Sequence, residues 1–391
     1  MIYLVAFILI LVPVIRFDLM KLEGNKSLWL SLNFLMMVMV AGLRYRVGGD
    51  TLIYMDLFDT YPAIDELSTF DFEDAKYNPC WYIYNSIFKS CGNSFTLFQI
   101  VQAVIVNGVF FRFFKRQTSY YFTAILVYFF GYYCYYNMEI QREVLSLCFM
   151  LEAYPFLVRK KLLQYYLLCV AALFFHTSAV VMFLFPLVLL IKKDYFWVAL
   201  LIIGMTVLML QVLDVINIFL SIAVPDTKLT ETIASYLMNE SPNIIGKTVY
   251  ILKIVPFIML MFVRNRHGFD NDMLVGKLIF FAVAIQSVTM YIPVTQRFSN
   301  YIFPLAIVYV VNTFYLHYWD IRPHLLSHLI VTSALFIYGF NLAYFYLQNR
   351  NDDLEGTHVY NRYLPYNSVF DPQSDNVREQ LIQNERATRW M

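Results

Sequence analysis

Apolar stretches long enough to lie in lipid recur along most of this chain, from MIYLVAFILILVPVI at the start to LLSHLIVTSALFIYGFNLAYFYL near residue 347. Crossing roughly 30 Å of hydrocarbon takes about 20 apolar residues, and every backbone N–H and C=O within the span must be satisfied inside it. Among open-chain elements only helices meet that condition. The sequence therefore predicts an all-α polytopic membrane helical bundle of about twelve transmembrane helices, near residues 1–15, 27–43, 94–112, 119–137, 141–158, 162–176, 177–191, 195–220, 248–263, 274–292, 298–317 and 325–347. Composition agrees: 60% of residues are hydrophobic, against about 45–50% in soluble domains. The first stretch lacks a basic leading region and a small-residue cleavage site, so it reads as a retained helix.

Lys and Arg then assign sides, because short loops rich in them stay cytoplasmic. They gather in alternate connections, at Arg16/Lys21/Lys26, Arg112/Lys115/Arg116, Arg159/Lys160/Lys161, Lys192/Lys193, Arg264/Arg266/Lys277 and Arg322. The alternation places both termini outside. A transmembrane domain over 1–347 then carries two long outer loops, 44–93 (acidic) and 225–246 (polar), longer than mere turns require. A soluble tail, 348–391, follows on the outer face; its YLPYNSVFDP has aromatics enough to dock, and QSDNVREQLIQNERATRWM reads as solvated.

Several ionisable residues are left over by this topology, all at the outer ends of helices: Arg44 and Arg46 in LRYRVGGD, Arg142 in NMEIQREVLSL, His176 in LFFHTSAVV and Arg297 in YIPVTQRFSNY. A charge within a membrane segment costs several kcal/mol unless it faces a partner or a water-filled cavity, which makes it a functional candidate. Each has a plainer alternative. A lone arginine snorkels to headgroups, Arg142 could pair with Glu139 or Glu143 across one helical turn, and His176 could be a satisfied core histidine. VGGD stands out because Gly48 and Gly49 permit positive φ or close backbone approach just before the carboxylate of Asp50.

Arginine's planar fork grips phosphate oxygens through two parallel charge-assisted bonds. Several arginines meeting one or two acidic groups suggest a diphosphate site with a nearby general base, as a lipid-linked sugar diphosphate requires. Tyr132, Tyr133, Tyr135 and Tyr136 cluster where the fourth span ends, either as an interfacial belt or as a stacking surface for sugars. With a net charge of +1 and no phosphate-cradling GxxxxGK[ST] loop, the chain offers no basic field for nucleic acid. Its five cysteines lack metal-ligand spacing. Cys80 and Cys91 share the first outer loop, where a disulfide and two unpaired thiols are both open; Cys134, Cys148 and Cys169 should pack in helices.

The segments LRYRVGGDTLIY, IQREVLSLCFMLEAYPFLVRKK, LLCVAALFFHTSAVVMFLFPLVLL, QRFSNYIFPLAIVY and YLPYNSVF, in that order, resemble the EpsG-like members of the Wzy polysaccharide polymerases. Where the family has Gly-Thr-Asp-Tyr, this chain has Gly48, Gly49, Asp50 and Thr51, with the nearest tyrosine at Tyr54. The resemblance implies a GT-C-like membrane glycosyltransferase, needing no metal and no cofactor, in the bacterial cytoplasmic membrane with its site facing outward. Its donor and acceptor would be undecaprenyl-diphosphate-linked oligosaccharides, and a chain-length regulator is an implied partner. Arg44, Arg46, Arg142 and Arg297 would hold the diphosphate and Asp50 or His176 would act as base. Tyr45, Tyr54, Tyr136, Glu143 and Tyr301 would contact sugar.

Two other classes would use similar residues. A flippase for lipid-linked sugars needs access from both faces and often shows internal repeats; Glu152 is the main charge deep in a span, and no repeat is evident. In a non-catalytic export subunit the outer arginines would merely bind headgroups.

Overall fold

The computed structural model describes residues 1–72, 77–190, 244–266, 274–289, 295–320, 325–349 and 356–390. Every element among them is helical, and extended pairing is confined to isolated bridges. The span expected at 195–220 and nearly all of the loop at 225–246 lie outside the described residues. By contacts the chain divides into two units, Met1–Val180 with Leu342–Met391, and Val181–Asn341.

The first unit begins with α1 (Ile2–Pro13), which runs on as a π-helical segment to Leu19, and α2 (Lys26–Gly42). Asn25 starts α2, its side-chain oxygen accepting the Leu28 amide at 3.0 Å. After the outer segment come α5 (Phe95–Gln117), capped by Ser94 onto the Leu97 amide at 3.2 Å, α6 (Tyr121–Gly131), α7 (Gln141–Val158) and α8 (Leu162–Leu173). Helix α2 packs along α5, α7 along α8, and α1 against α6. Leu4, Leu35, Leu163 and Leu167 point outward, as expected of surfaces that meet lipid. Among the described residues, three helical stretches are long and apolar enough to cross a membrane: Ile2–Leu19, Phe95–Gln117 and Leu325–Leu347.

The segment after α2, expected to form an outer loop, is folded. It holds α3 (Thr51–Phe58) and α4 (Pro79–Ser90) around an aromatic core of Tyr54, Phe58, Tyr61, Trp81, Tyr82, Phe88 and Phe98. Trp81 Nε1 donates to the Tyr61 hydroxyl at 2.9 Å, so the fully buried indole leaves no orphaned donor. This geometry also excludes a Cys80–Cys91 bridge: the two cysteines lie at opposite ends of α4, about 16 Å apart at 1.5 Å per residue, and both are free.

In the second unit are α9 (Ile244–Arg266), α10 (Leu274–Thr289), the short α11 (Gln296–Asn300) and α12 (Phe303–Tyr315). Arg264, expected to mark the inner side, is buried instead, donating to Thr313 Oγ1 at 3.1 Å and lying over the Tyr309 ring at 4.7 Å. Residues 177–190 form a 3₁₀ segment containing Pro186 rather than a seventh α-helix. The long helix α13 (Leu325–Leu347) precedes the tail.

The tail returns to the segment after α2. Arg44 bridges to Ser368, the Tyr45 amide donates to the Asn367 carbonyl at 2.9 Å and the Val369 amide to the Leu43 carbonyl at 2.9 Å. The last helix, α14 (Asn376–Trp390), is docked rather than solvated: Arg378, Leu381 and Ile382 are buried. Because the tail and the 44–50 turn touch, they share a side of the membrane.

Gly42 marks a close helix crossing, where an added Cβ would lie 2.9 Å from the Ile100 Cα. Gly42→Ala should therefore force α2 off α5 and cost about 1–3 kcal/mol; thermal unfolding of the detergent-purified protein checks this, and an unchanged midpoint would mean the crossing is slack.

Candidate functional site

The turn from Leu43 to Thr51 is where the sequence concentrates its charge, and its local geometry follows from crowding. Gly48 has φ +108, and a Cβ there would sit 2.7 Å from the Met138 carbonyl oxygen. A Cβ on Gly49 would meet Arg362 Nη1 at 2.9 Å and Glu139 Oε1 at 3.2 Å. Thr51 closes the turn, its hydroxyl lying 2.8 Å from the Val47 carbonyl and 2.9 Å from that of Met138. Arg46 itself adopts φ +53, an uncommon conformation for a residue with a side chain.

Asp50 occupies the N-cap position of α3, half-buried, so Tyr54 lies one turn on along the same helix. Arg142 comes from the first turn of α7 and meets this helix: its guanidinium lies 3.9 Å from the ring centroid of Tyr77 and close enough to Tyr54 to favour the ionised phenol. The Nε–H of Arg142 is buried with no hydrogen-bond acceptor among the described residues. Burial pushes the Tyr54 phenol up to about 12, against the opposing pull of Arg142. Burial also raises Tyr77, again opposed by Arg142, and the Asp50 carboxylate adds to the rise at both rings. Asp50, Tyr54, Tyr77 and Arg142 thus form one electrostatic cluster where α3 and α7 begin.

His176 belongs to the same end. Ser146 on α7 donates to the Ala172 carbonyl of α8 at 2.8 Å. Arg142 and His176 lie one turn beyond these two residues. The Asn78 side chain and Cys80 amide, just after Tyr77, bond the Leu173 and Phe174 carbonyls at 2.9 and 3.1 Å, just before His176. The imidazole is buried, and its Nδ1 accepts the Ser178 amide at 3.2 Å and lies 2.7 Å from the Ser178 hydroxyl. With Nδ1 accepting, the neutral ring carries its proton on Nε2 and presents a donor there.

Other expected site residues fall elsewhere. Arg44 is 2% exposed and spends its donors on the Ala41 carbonyl, on Val47 at 3.2 Å and on the Gln99 amide. It satisfies the carbonyl end of α2, so the expected diphosphate contact from this side chain does not fit. Burial lowers it to about 10, still cationic at neutral pH. Tyr136 is fully buried against Phe110, Tyr128 and Tyr132, and Tyr301 in the second unit is fully buried as well; neither ring faces a sugar. Glu143 is buried in α7. Tyr45 remains half-exposed, Arg46 pairs with Glu379 at 2.8 Å, and Arg297 is exposed on α11.

The residues missed by sequence reasoning come chiefly from Glu139 and the tail. Glu139, buried, accepts Arg362 Nη1 at 3.0 Å and the Tyr363 hydroxyl, so it is not the partner of Arg142. Arg378 donates to the carbonyls of Arg46 at 3.1 Å, Asn361 at 3.3 Å and Pro365. Tyr77 lies in the loop read only as acidic.

Fold and site together define an integral membrane protein with an arginine, a carboxylate and tyrosines gathered at one end of its helices. The chain belongs to the EpsG family, which matches residues 27–368, and is a membrane protein of polysaccharide biosynthesis. No curated protein and no solved structure matches it.

Cys91, exposed at the end of α4, should react with a membrane-impermeant maleimide added to intact cells without prior reduction. Labelling only after a reductant would indicate a disulfide that the helix forbids, and labelling only after permeabilisation would put this end of the helices on the inner side.

Proposed function

We propose that the protein is a polysaccharide polymerase that joins undecaprenyl-diphosphate-linked oligosaccharide units at the outer face of the cytoplasmic membrane, without metal or cofactor. The observation that carries this reading is the Arg142 guanidinium, held over the Tyr77 ring beside Tyr54, with a buried Nε–H that meets no acceptor among the described residues and Asp50 in the same cluster. A donor of that kind suits a phosphate oxygen.

In the reaction, a hydroxyl of the acceptor sugar attacks the anomeric carbon of the donor. A C–O bond forms there, the bond to the diphosphate oxygen breaks, and the electron pair leaves with the lipid diphosphate. Asp50 takes the hydroxyl proton. It suits that role better than His176, whose Nδ1 lone pair already serves Ser178. Arg142 stabilises the charge that grows on the leaving group, the kind of contribution that electrostatics makes largest in such sites. Arg46 supplies a further cationic contact, and the exposed edges of Tyr45 and Tyr77 hold sugar. A chain-length regulator is the partner such a reaction calls for.

Cells carrying Arg142→Ala or Asp50→Asn should accumulate single repeat units on the lipid carrier at normal membrane levels of protein, with the rate down roughly 10²–10³-fold for the arginine. Glycan length on the carrier, resolved by electrophoresis, is the readout. Long chains in both variants would defeat the polymerase reading, and repeat units trapped on the inner leaflet would make the protein a flippase.

A further inference from the structure

The turn that carries Asp50 is fixed from outside itself. The Gly48 amide donates to the Arg362 carbonyl at 2.9 Å, and the Arg362 guanidinium fills the space beside Gly49, the residue just before Asp50. That guanidinium is locked in turn by Glu139, with both side chains almost wholly buried (2% and 6% exposed). Glu139 stands three residues before Arg142. The pair therefore spans the two halves of the cluster, the turn that presents the carboxylate and the helix start that presents the arginine. A second tail residue, Arg378, holds the carbonyl of Arg46, whose backbone is in the left-handed region. Backbone in such a conformation persists only when its surroundings hold it there.

We propose that Arg362 and Arg378, with Glu139 as the anchor, are positioning residues for Asp50, so that the segment after the last span is a working part of the site and not an appendage. The inference rests on reading Asp50 as the base. It also accounts for the second glycine: residue 49 has no room for a side chain because the tail arginine occupies that space.

The test uses the full chain in lipid nanodiscs, comparing wild type with Arg362→Gln, Arg362→Lys, Glu139→Gln and Arg378→Gln. Amide hydrogen exchange is followed over residues 44–52, and polymerisation of lipid-linked units is measured beside it. In Arg362→Gln, exchange at Gly48 and Thr51 should rise about tenfold or more while the interiors of α5 and α7 keep their protection. In the same variant kcat should fall by at least about tenfold with KM for the acceptor changed little, since a misplaced base slows chemistry more than binding. Arg362→Lys, which retains the charge, should recover part of the rate. Glu139→Gln and Arg378→Gln should repeat the pattern without depending on one substitution. Unchanged exchange would overturn the proposal whatever the activity, as would loosened exchange with a normal kcat. A wild-type protein that joins no units would sink the polymerase reading, and the exchange result would still show whether the tail holds the turn.

Discussion

Glu139 and Arg362 form a buried ion pair across 223 positions of sequence, and much of this end of the first unit is arranged around it. Two charges withdrawn from water tolerate each other only at close range, with their remaining hydrogen-bonding groups largely satisfied, and removing either partner strands the other. Glu139 meets this demand with a second donor, the Tyr363 hydroxyl, and the chain around Arg362 is fixed through its carbonyl to Gly48. The tail, the glycine turn and the end of the π-helical segment Tyr135–Glu139 are thus bound into one piece. Two further tail-to-turn links, the Arg46–Glu379 pair and the carbonyls held by Arg378, reinforce it.

A different physics supports the opposite wall. The segment from α3 to α4 has an aromatic interior in which Trp81, Phe98 and Phe58 meet edge to face or tilted, at centroid distances of 5.7 and 6.2 Å. Tyr54 belongs to that interior, and Tyr77 packs against it. Arg142 lies over the face of the Tyr77 ring and beside Tyr54. Apolar packing thereby places hydroxyl and π-face where a cation can use both, and α4 ties the whole to the end of α8 through Asn78 and Cys80.

The helices of the bundle were legible in the sequence wherever an apolar run approached the membrane's thickness, as in α1, α2, α5, α7, α8 and α13, because lipid leaves the backbone no other way to satisfy its polar groups. Family membership was legible too, from the order of five short segments. What periodicity could not reveal were the contacts between distant stretches. Glu139 and Arg142 have helical spacing, yet Ile140 between them sits at φ −82, ψ 51, outside the helix, so the two side chains part and Glu139 finds Arg362 instead. Arg44 looked like a ligand because its carbonyl partners are backbone, which sequence does not display. The tail helix α14 looked solvated because its buried face is an arginine with two aliphatic residues, too narrow a stripe to stand out among its charges. Tyr77 was hidden by acidic neighbours, and only the fold shows that its ring reaches the arginine.

The tail's place beside the turn also has a bearing on biogenesis. Membrane proteins are inserted as they are made, and Arg142, Asp50 and Tyr77 reach their positions long before residue 362 has been synthesised. Until the tail has crossed or emerged on their side, the Glu139 carboxylate lacks its partner and the glycine turn lacks the side chain that fills it. A partly inserted chain would hold the residues of the cluster without their alignment, so the cluster would be complete only once insertion has run past the last span.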